Sequence, residues 1–190
     1  DPSVIDKNFS HRDYFHGQGK EFPAEEVPTD ILPISKPHVS LSFVSNSTNK
    51  SMVAIAVPVR HDNEIIGVLA RTTHLGQLLS SFEFSTRGQD GVNRTVALFD
   101  QRDWRLLDHS RLIDAEFAKS ISEAEMLNLR LSDSDIANIK RAKNTRKRTL
   151  SAYRDPMAVL DPANYDGEWL AAFAAVQLPQ IGGLWTAIVQ

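Results

Sequence analysis

Two apolar runs rich in β-branched residues lie close together in the chain, and they constrain its fold more than any other feature. Residues 51–60 and 64–73 each have the length and composition of a strand. Only residues 61–63 (HDN) separate them, which is the length and composition of a hairpin turn. Residues 39–44 (VSLSFV) alternate as a half-buried strand does. The sequence therefore predicts three strands of a sheet in the first part of the chain.

A short helix and a linker are predicted after these strands. The apolar side chains within residues 75–82 recur at helical spacing. Residues 85–93 (STRGQDGVN) are polar and rich in glycine, which is typical of a linker. We therefore expect a first module at residues 1–84 and a second module at residues 94–190.

The second module alternates strand-like and helix-like segments. Residues 111–144 have helical periodicity, and the Ser122–Glu125 and Ser132–Asp135 spacings match capping boxes that start two helices. Strand-like runs lie on both sides, at residues 95–99, 105–107, 149–154, 168–178 and 184–189. This order predicts an α+β module: a five-stranded antiparallel sheet with helices inserted after its first hairpin. We expect four sheet residues to be buried against those helices: Leu98, Leu106, Phe173 and Trp185.

The composition excludes several classes of protein. No cysteine is present, which removes disulfides, thiolate metal sites and thiol nucleophiles. The formal net charge of −3 argues against a general electrostatic grip on nucleic acid. The longest apolar run, residues 169–176, is too short to span a bilayer. No nucleophile elbow, phosphate-binding glycine loop or kinase signature occurs, so we expect no catalytic residue, no cofactor and no metal.

Two polar features have competing interpretations. Asp108 and His109 with Asp103 can be drawn as a metal cluster, but a hairpin with polar ends is the favoured alternative. Residues 140–148 hold six Lys or Arg, which suits either a contact with anionic partners or a solvated helix end. The second interpretation is favoured, and it predicts an exposed segment that is dispensable for folding.

The most informative constellation is residues 10–15 (SHRDYF). An arginine beside two aromatic residues can bind a planar anion bidentately and enclose it with rings. The alternative is a structural helix start in which Arg12 pairs with a neighbouring aspartate such as Asp13, while Tyr14 and Phe15 pack into the core. The residues alone favour the structural interpretation.

The order of several motifs resembles the Cache superfamily, the extracytoplasmic PAS-like sensor domains of bacterial receptors. The similar segments cover nearly the whole chain: residues 10–15, 40–50, 54–60, 66–79, 96–100, 106–109 and 185–189. The double-Cache pattern implies two PAS-like modules, each an antiparallel sheet of about five strands flanked by helices. The first, membrane-distal module here lacks the N-terminal helix and first hairpin. Since the chain has neither an initiator Met nor a signal peptide at Asp1, we expect it to be a piece of a longer protein.

The resemblance also implies a ligand site in the first module. In amino-acid-binding members, the motif arginine grips the ligand carboxylate and the aromatic residue two positions later covers it. An ungapped alignment places further pocket positions on the following strands, with Ser45 and Thr72 where those members have the carboxylates that bind an ammonium group. An α-amino acid is therefore disfavoured, and a carboxylate or other small polar anion is expected. The implied ligand-binding residues are Arg12, Tyr14, Phe15, Phe43, Ser45 and Thr72.

Two functions from different classes follow. The first is a non-catalytic small-molecule sensing domain of a transmembrane receptor, located outside the cytoplasm, whose flanking transmembrane helices lead to a cytoplasmic histidine kinase, chemoreceptor, cyclase or Ser/Thr kinase module. The second is a structural or dimerisation spacer of such a receptor, with a collapsed pocket and a possible homodimer contact. A hydrolase built on an Asp–His pair is a remote third interpretation.

Overall fold

A computed structural model divides the chain into two compact units, Asp1–His74 and Leu75–Gln190, called here the first and second units. The predicted linker at residues 85–93 lies outside the described residues, so the module boundaries at residues 84 and 94 stay predictions. The structure describes residues 5–79, 94–143, 148–178 and 181–190.

The first unit is built on a long hairpin. Asp62 and Asn63 join its strands with φ angles of 47° and 68°, the left-handed pair that a tight two-residue turn requires. His61 pairs with Glu64 across this turn, and the predicted hairpin is confirmed. The described elements of the unit are α1 (Asp13–His16), β1 (His38–Val39), β2 (Phe43–Val44), β3 (Ser51–His61) and β4 (Glu64–His74).

The strand predicted at residues 39–44 is interrupted in the middle. β1 and β2 both pair antiparallel with β3, but the register shifts between them, with Val39 opposite Ile55 and Phe43 opposite Met52. At the interruption, the Ser40 hydroxyl accepts a hydrogen bond from the Ala54 N–H at 2.9 Å. Because a serine side chain competes with the ladder for this donor, the strand breaks there and resumes at Phe43.

The second unit has the predicted order of strands and helices, with one unpredicted short helix between its third and fourth strands. Its antiparallel sheet runs β6-β5-β9-β8-β7, with three α-helices after the β5–β6 hairpin. No helix in the described ranges is long and apolar enough to cross a membrane. The elements are β5 (Val96–Asp100), β6 (Leu106–His109), α2 (Ala115–Ser120), α3 (Glu123–Asn128), α4 (Asp133–Lys143), β7 (Thr149–Tyr153), α5 (Pro162–Tyr165), β8 (Trp169–Leu178) and β9 (Gly182–Val189).

Side-chain caps start α2, α3 and α4. Ser122 and Glu125 form the predicted capping box at the start of α3. The Ser132 hydroxyl accepts the Asp135 N–H at 3.1 Å at the start of α4. The prediction missed α2, which begins where the Asp114 carboxylate accepts the N–H groups of the second and third helical residues.

Strands β5 and β6 of the second unit are buried on both faces, which corrects half of the predicted core. Leu106 and Phe173 belong to the main apolar cluster with helix residues such as Ile139. Leu98 and Trp185 are also buried, at 6% exposure each, but they lie outside that cluster. Successive side chains of a strand point to opposite faces, so these two face away from the helices that were predicted to cover them.

The helix predicted from residue 75 is wrong for its described part, which consists of turns. Gly76 has a φ of +76°, outside the helical region, and its N–H donates to the Leu107 carbonyl at 3.0 Å. The N–H of Leu79 donates to the Asp108 carboxylate. Hydrogen bonds from these N–H groups to β6 thus replace the backbone hydrogen bonds that a helix would make. Phe82, the last residue of the predicted helix, lies outside the described residues.

Candidate functional site

The carboxylate of Asp13 anchors α1 in the first unit. It is fully buried and accepts the backbone N–H groups of Gly19 at 2.7 Å and Leu41 at 2.9 Å. His38 Nε2 lies 3.0 Å from it. Burial alone would raise the pKa of Asp13, but the hydrogen bonds from His38, Leu41 and Gly19 outweigh burial and lower it. The Asp13 carboxylate therefore holds α1 against the backbone at Gly19 and at Leu41.

Arg12, the residue before α1, is 8% exposed and is held by three contacts. Its Nη1 lies 2.8 Å from Oε2 of Glu21, and its Nη2 donates to the Val44 carbonyl at 3.2 Å. The guanidinium carbon stands 4.9 Å from the ring centroid of Phe43, which is a cation–π contact. The predicted alternative partner, Asp13, is engaged elsewhere, so the ion pair that the sequence allowed is made with Glu21 instead.

Five of the six predicted ligand-binding residues line one cavity of about 590 Å³ in the first unit. The Tyr14 and Phe43 rings form part of its wall, with centroids 5.7 Å apart. Burial raises the pKa of Tyr14, so its phenol stays neutral and able to donate a hydrogen bond. What the cavity binds stays a prediction. The five residues are Arg12, Tyr14, Phe43, Ser45 and Thr72.

Of the other predicted residues, Ser45 and Thr72 line the cavity from different parts of the chain, and Phe15 lies outside the cavity. Ser45 follows β2 directly and precedes a turn, and its hydroxyl is 3.1 Å from that of Ser47 in the turn. Thr72 lies on β4, opposite Ala54. Phe15, the sixth predicted residue, is half-buried and lines neither this cavity nor its neighbour. Its carbonyl accepts the N–H of Ile34 at 2.7 Å, so its backbone holds the loop that follows α1.

A second cavity, of about 360 Å³, lies beside the first and shares Arg12, Phe43 and His11 with it. Glu21 lines this smaller cavity only. The pKa of His11 is lowered by burial and by the charge of Arg12, so this ring is neutral at neutral pH. The sequence prediction missed Glu21, because an acidic residue nine positions from Arg12 follows no helical or strand period.

In the second unit, Asp108 and His109 are not arranged as a metal site. Asp108 and His109 are successive residues of β6, so their side chains point to opposite faces of the sheet. Asp108 binds the Leu79 N–H, whereas His109 Nε2 lies 3.1 Å from Oδ2 of Asp155. Within the described part of the chain, no group of three or more acidic or histidine side chains is arranged to hold a metal ion.

No protein-family model matches the sequence, and no curated protein matches it significantly. Solved structures do match the fold. One is the extracellular domain assigned to the histidine kinase rpHK1S-Z16, with a TM-score of 0.52, 12% identity and coverage of 96% of this chain. Another is the ligand-binding domain of the Pseudomonas fluorescens chemoreceptor CtaA in complex with L-serine, with a TM-score of 0.51, 14% identity and coverage of 97% of this chain.

The same CtaA domain in complex with L-leucine gives a TM-score of 0.50 at 14% identity. The chain spans 60% to 62% of the lengths of these three structures. The likeness shows that the chain shares the α+β fold of these solved domains, which is the fold class that the sequence predicted.

Proposed function

We propose that the Arg12 cavity binds a small organic anion, and that this chain is the extracytoplasmic sensing region of a transmembrane signalling receptor. The observation that carries the proposal is the placement of Arg12: a guanidinium that is nine-tenths buried stands over the Phe43 ring in the wall of a 590 Å³ cavity. Buried arginines in concave sites are suited to planar anions, because their donors lie in one plane.

The fold supports a sensing role without a catalytic one. The similar structures are the ligand-binding domain of the chemoreceptor CtaA, seen with L-serine and with L-leucine, and the extracellular domain of a histidine kinase. In this chain, Ser45 and Thr72 line the cavity, and the family resemblance aligns both with the carboxylates that bind the ammonium group in amino-acid-binding members. An organic acid or a similar small anion is therefore the better ligand class.

Signalling would pass from the cavity to the rest of the receptor. A ligand that binds one arrangement of the protein better than another shifts the population towards it. Flanking transmembrane helices would carry that shift to a cytoplasmic kinase, chemoreceptor or cyclase module. Such a receptor places this chain outside the cytoplasm and gives it no enzymatic role of its own.

The alternative function is a structural or dimerisation spacer, and one observation favours it. Arg12 already has a carboxylate partner in Glu21, at 2.8 Å. Thermal-shift screening with organic acids, amines, purines and sugars separates the two functions. A ligand present at about 100 times its Kd stabilises the protein by about 2.7 kcal/mol. A response to small anions supports the sensor, whereas silence across all four classes supports the spacer.

A further inference from the structure

Glu21 changes the charge that the Arg12 cavity offers to a ligand. Its Oε2 lies 2.8 Å from Nη1 of Arg12, and its Oε1 accepts the Asp13 N–H at 2.9 Å. The Glu21 side chain is 28% exposed and that of Arg12 only 9%, so the pair is shielded from water on the arginine side. The guanidinium thus meets a ligand as one half of an ion pair rather than as a free cation.

Other charged groups near the cavity add little to this balance. Lys7 lines the cavity but is solvent-exposed, so water and salt screen its ammonium group. His11 is neutral at neutral pH because its pKa is lowered. Among the described residues that line the larger cavity, none is Asp or Glu. Glu25 acts electrostatically on His11 but is solvent-exposed, so the negative charge held against the guanidinium is that of Glu21.

The walls of the larger cavity are largely apolar. Phe9, Tyr14 and Phe43 contribute aromatic rings, and Met52 adds a flexible thioether. Hydroxyl, amide, imidazole and charged side chains supply the polar remainder. This lining suits a ligand whose body is a ring or another apolar group, with its charge confined to one end.

We infer that Glu21 restricts the Arg12 cavity to ligands that carry a single negative charge on an apolar body, of which aromatic monocarboxylates are the simplest class; the inference rests on the proposed function. One carboxylate uses the Arg12 donors that Glu21 and Val44 leave open. A second carboxylate beside the first is repelled by Glu21, and at separations of a few ångströms in a partly buried site this repulsion is substantial. Glu21 is thus a specificity-determining residue that acts through Arg12.

The test compares benzoate with phthalate, which carries a second carboxylate beside the first, by calorimetric titration at about pH 8, where both carboxylates are ionised. The wild-type protein is expected to bind benzoate at least about tenfold more tightly than phthalate. Glu21→Gln keeps an oxygen for the Asp13 N–H and removes the charge. It is expected to raise the affinity for phthalate relative to benzoate by about tenfold or more. Glu26→Gln removes the same charge from an exposed position and is expected to change the ratio by less than about twofold.

The outcomes separate this inference from the proposed function. If benzoate binds and the ratio is the same in Glu21→Gln and the wild type, the inference is overturned while the Arg12 cavity remains an anion site. Phthalate that binds the wild type as tightly as benzoate also overturns it, whether or not the variant folds. If neither compound binds but another small anion does so in an Arg12-dependent way, the ligand class is wrong and the proposed function stands. If no small anion binds, both fail.

Discussion

His109 Nε2 lies 3.1 Å from Oδ2 of Asp155, and both side chains are completely buried in the second unit. The other ring nitrogen, Nδ1, accepts the N–H of Arg111 at 3.0 Å, so the proton of a neutral ring belongs on Nε2 and points at Asp155. The same carboxylate oxygen accepts the Gln190 side-chain amide at 2.7 Å, and Oδ1 accepts the Met157 N–H at 2.8 Å. This satisfied, water-excluded pair is structural and not a hydrolytic site.

Replacing His109 with Ala is therefore expected to destabilise the protein. The substitution leaves the buried Asp155 carboxylate without one of its donors, which costs about 3 kcal/mol or more. Urea unfolding measures the loss. The matched control is His61→Ala, because the His61 side chain is 76% exposed beside Asp62 and its removal is expected to cost less than about 0.5 kcal/mol. Equal effects of the two substitutions would contradict the structural role of His109.

Arg12→Ala tests the proposed anion site. Removing the guanidinium takes away the cavity's buried cation, so the thermal shift given by a responding anion is expected to disappear. The stability loss is expected to be about 1–2 kcal/mol, because the Glu21 side chain is 28% exposed and can be hydrated. Arg71→Ala, at an exposed position of β4, serves as the control and should keep the response. Binding that survives Arg12→Ala, or a variant that unfolds, would make Arg12 a purely structural ion-pair residue.

Asp108 should make stability depend on pH with an unusual sign. Burial raises its pKa from 3.8 to about 6 in the folded protein. The folded state therefore binds this proton more readily than the unfolded state, and Asp108 favours folding increasingly as pH falls from about 7 towards 4. A difference of this size corresponds to about 3 kcal/mol.

Urea unfolding of the wild type and Asp108→Asn across this pH range isolates the contribution of Asp108. The wild type should gain stability relative to the variant as pH falls. Asp166→Asn makes the same change at an exposed position and should show no comparable trend. A wild type that loses stability relative to Asp108→Asn on acidification would show that the buried carboxyl stays ionised.

The basic residues of α4 are expected to be dispensable for folding. Lys140 and Arg141 are exposed, so replacing both with Gln should shift Tm by no more than about 2 °C. The neighbouring Ile139 is fully buried in the main apolar cluster, and Ile139→Ala should cost about 2–5 kcal/mol. A large loss of Tm in the double Gln variant would instead indicate a structural role for this segment. Lys143, the third basic residue of the helix, has a side chain outside the described set.

Several elements were predictable because their signals are local. The Asp62-Asn63 turn depends on two residues that tolerate positive φ, and the Ser122–Glu125 capping box depends on a spacing of three. The convergence of Phe43 and Thr72 on one cavity with Arg12 came from the family resemblance together with the β3–β4 hairpin. These features require only neighbouring residues or one strand pairing to be correct.

Other features were decided only by tertiary structure. Strand periodicity showed that Leu98 and Trp185 alternate with their neighbours. Both faces of the sheet are buried at these positions, so apolar residues occur on each face. The pattern therefore could not tell which face packs against the helices. The apolar spacing from residue 75 fits a helix. Instead, the N–H groups of Gly76 and Leu79 form hydrogen bonds to β6. Their acceptors in β6 lie about thirty residues away in the sequence, so no local pattern reveals them.

The sequence by itself determined the strands, the starts of α3 and α4, and the presence of an arginine among aromatic residues. Only the tertiary structure decided that Arg12 pairs with Glu21 and not with Asp13. The reason is the path of the chain after α1. Asp13 turns inward to bind Gly19, His38 and Leu41, and the loop it holds returns Glu21 to the guanidinium. A side-chain pair across a loop depends on that path, which no local period encodes.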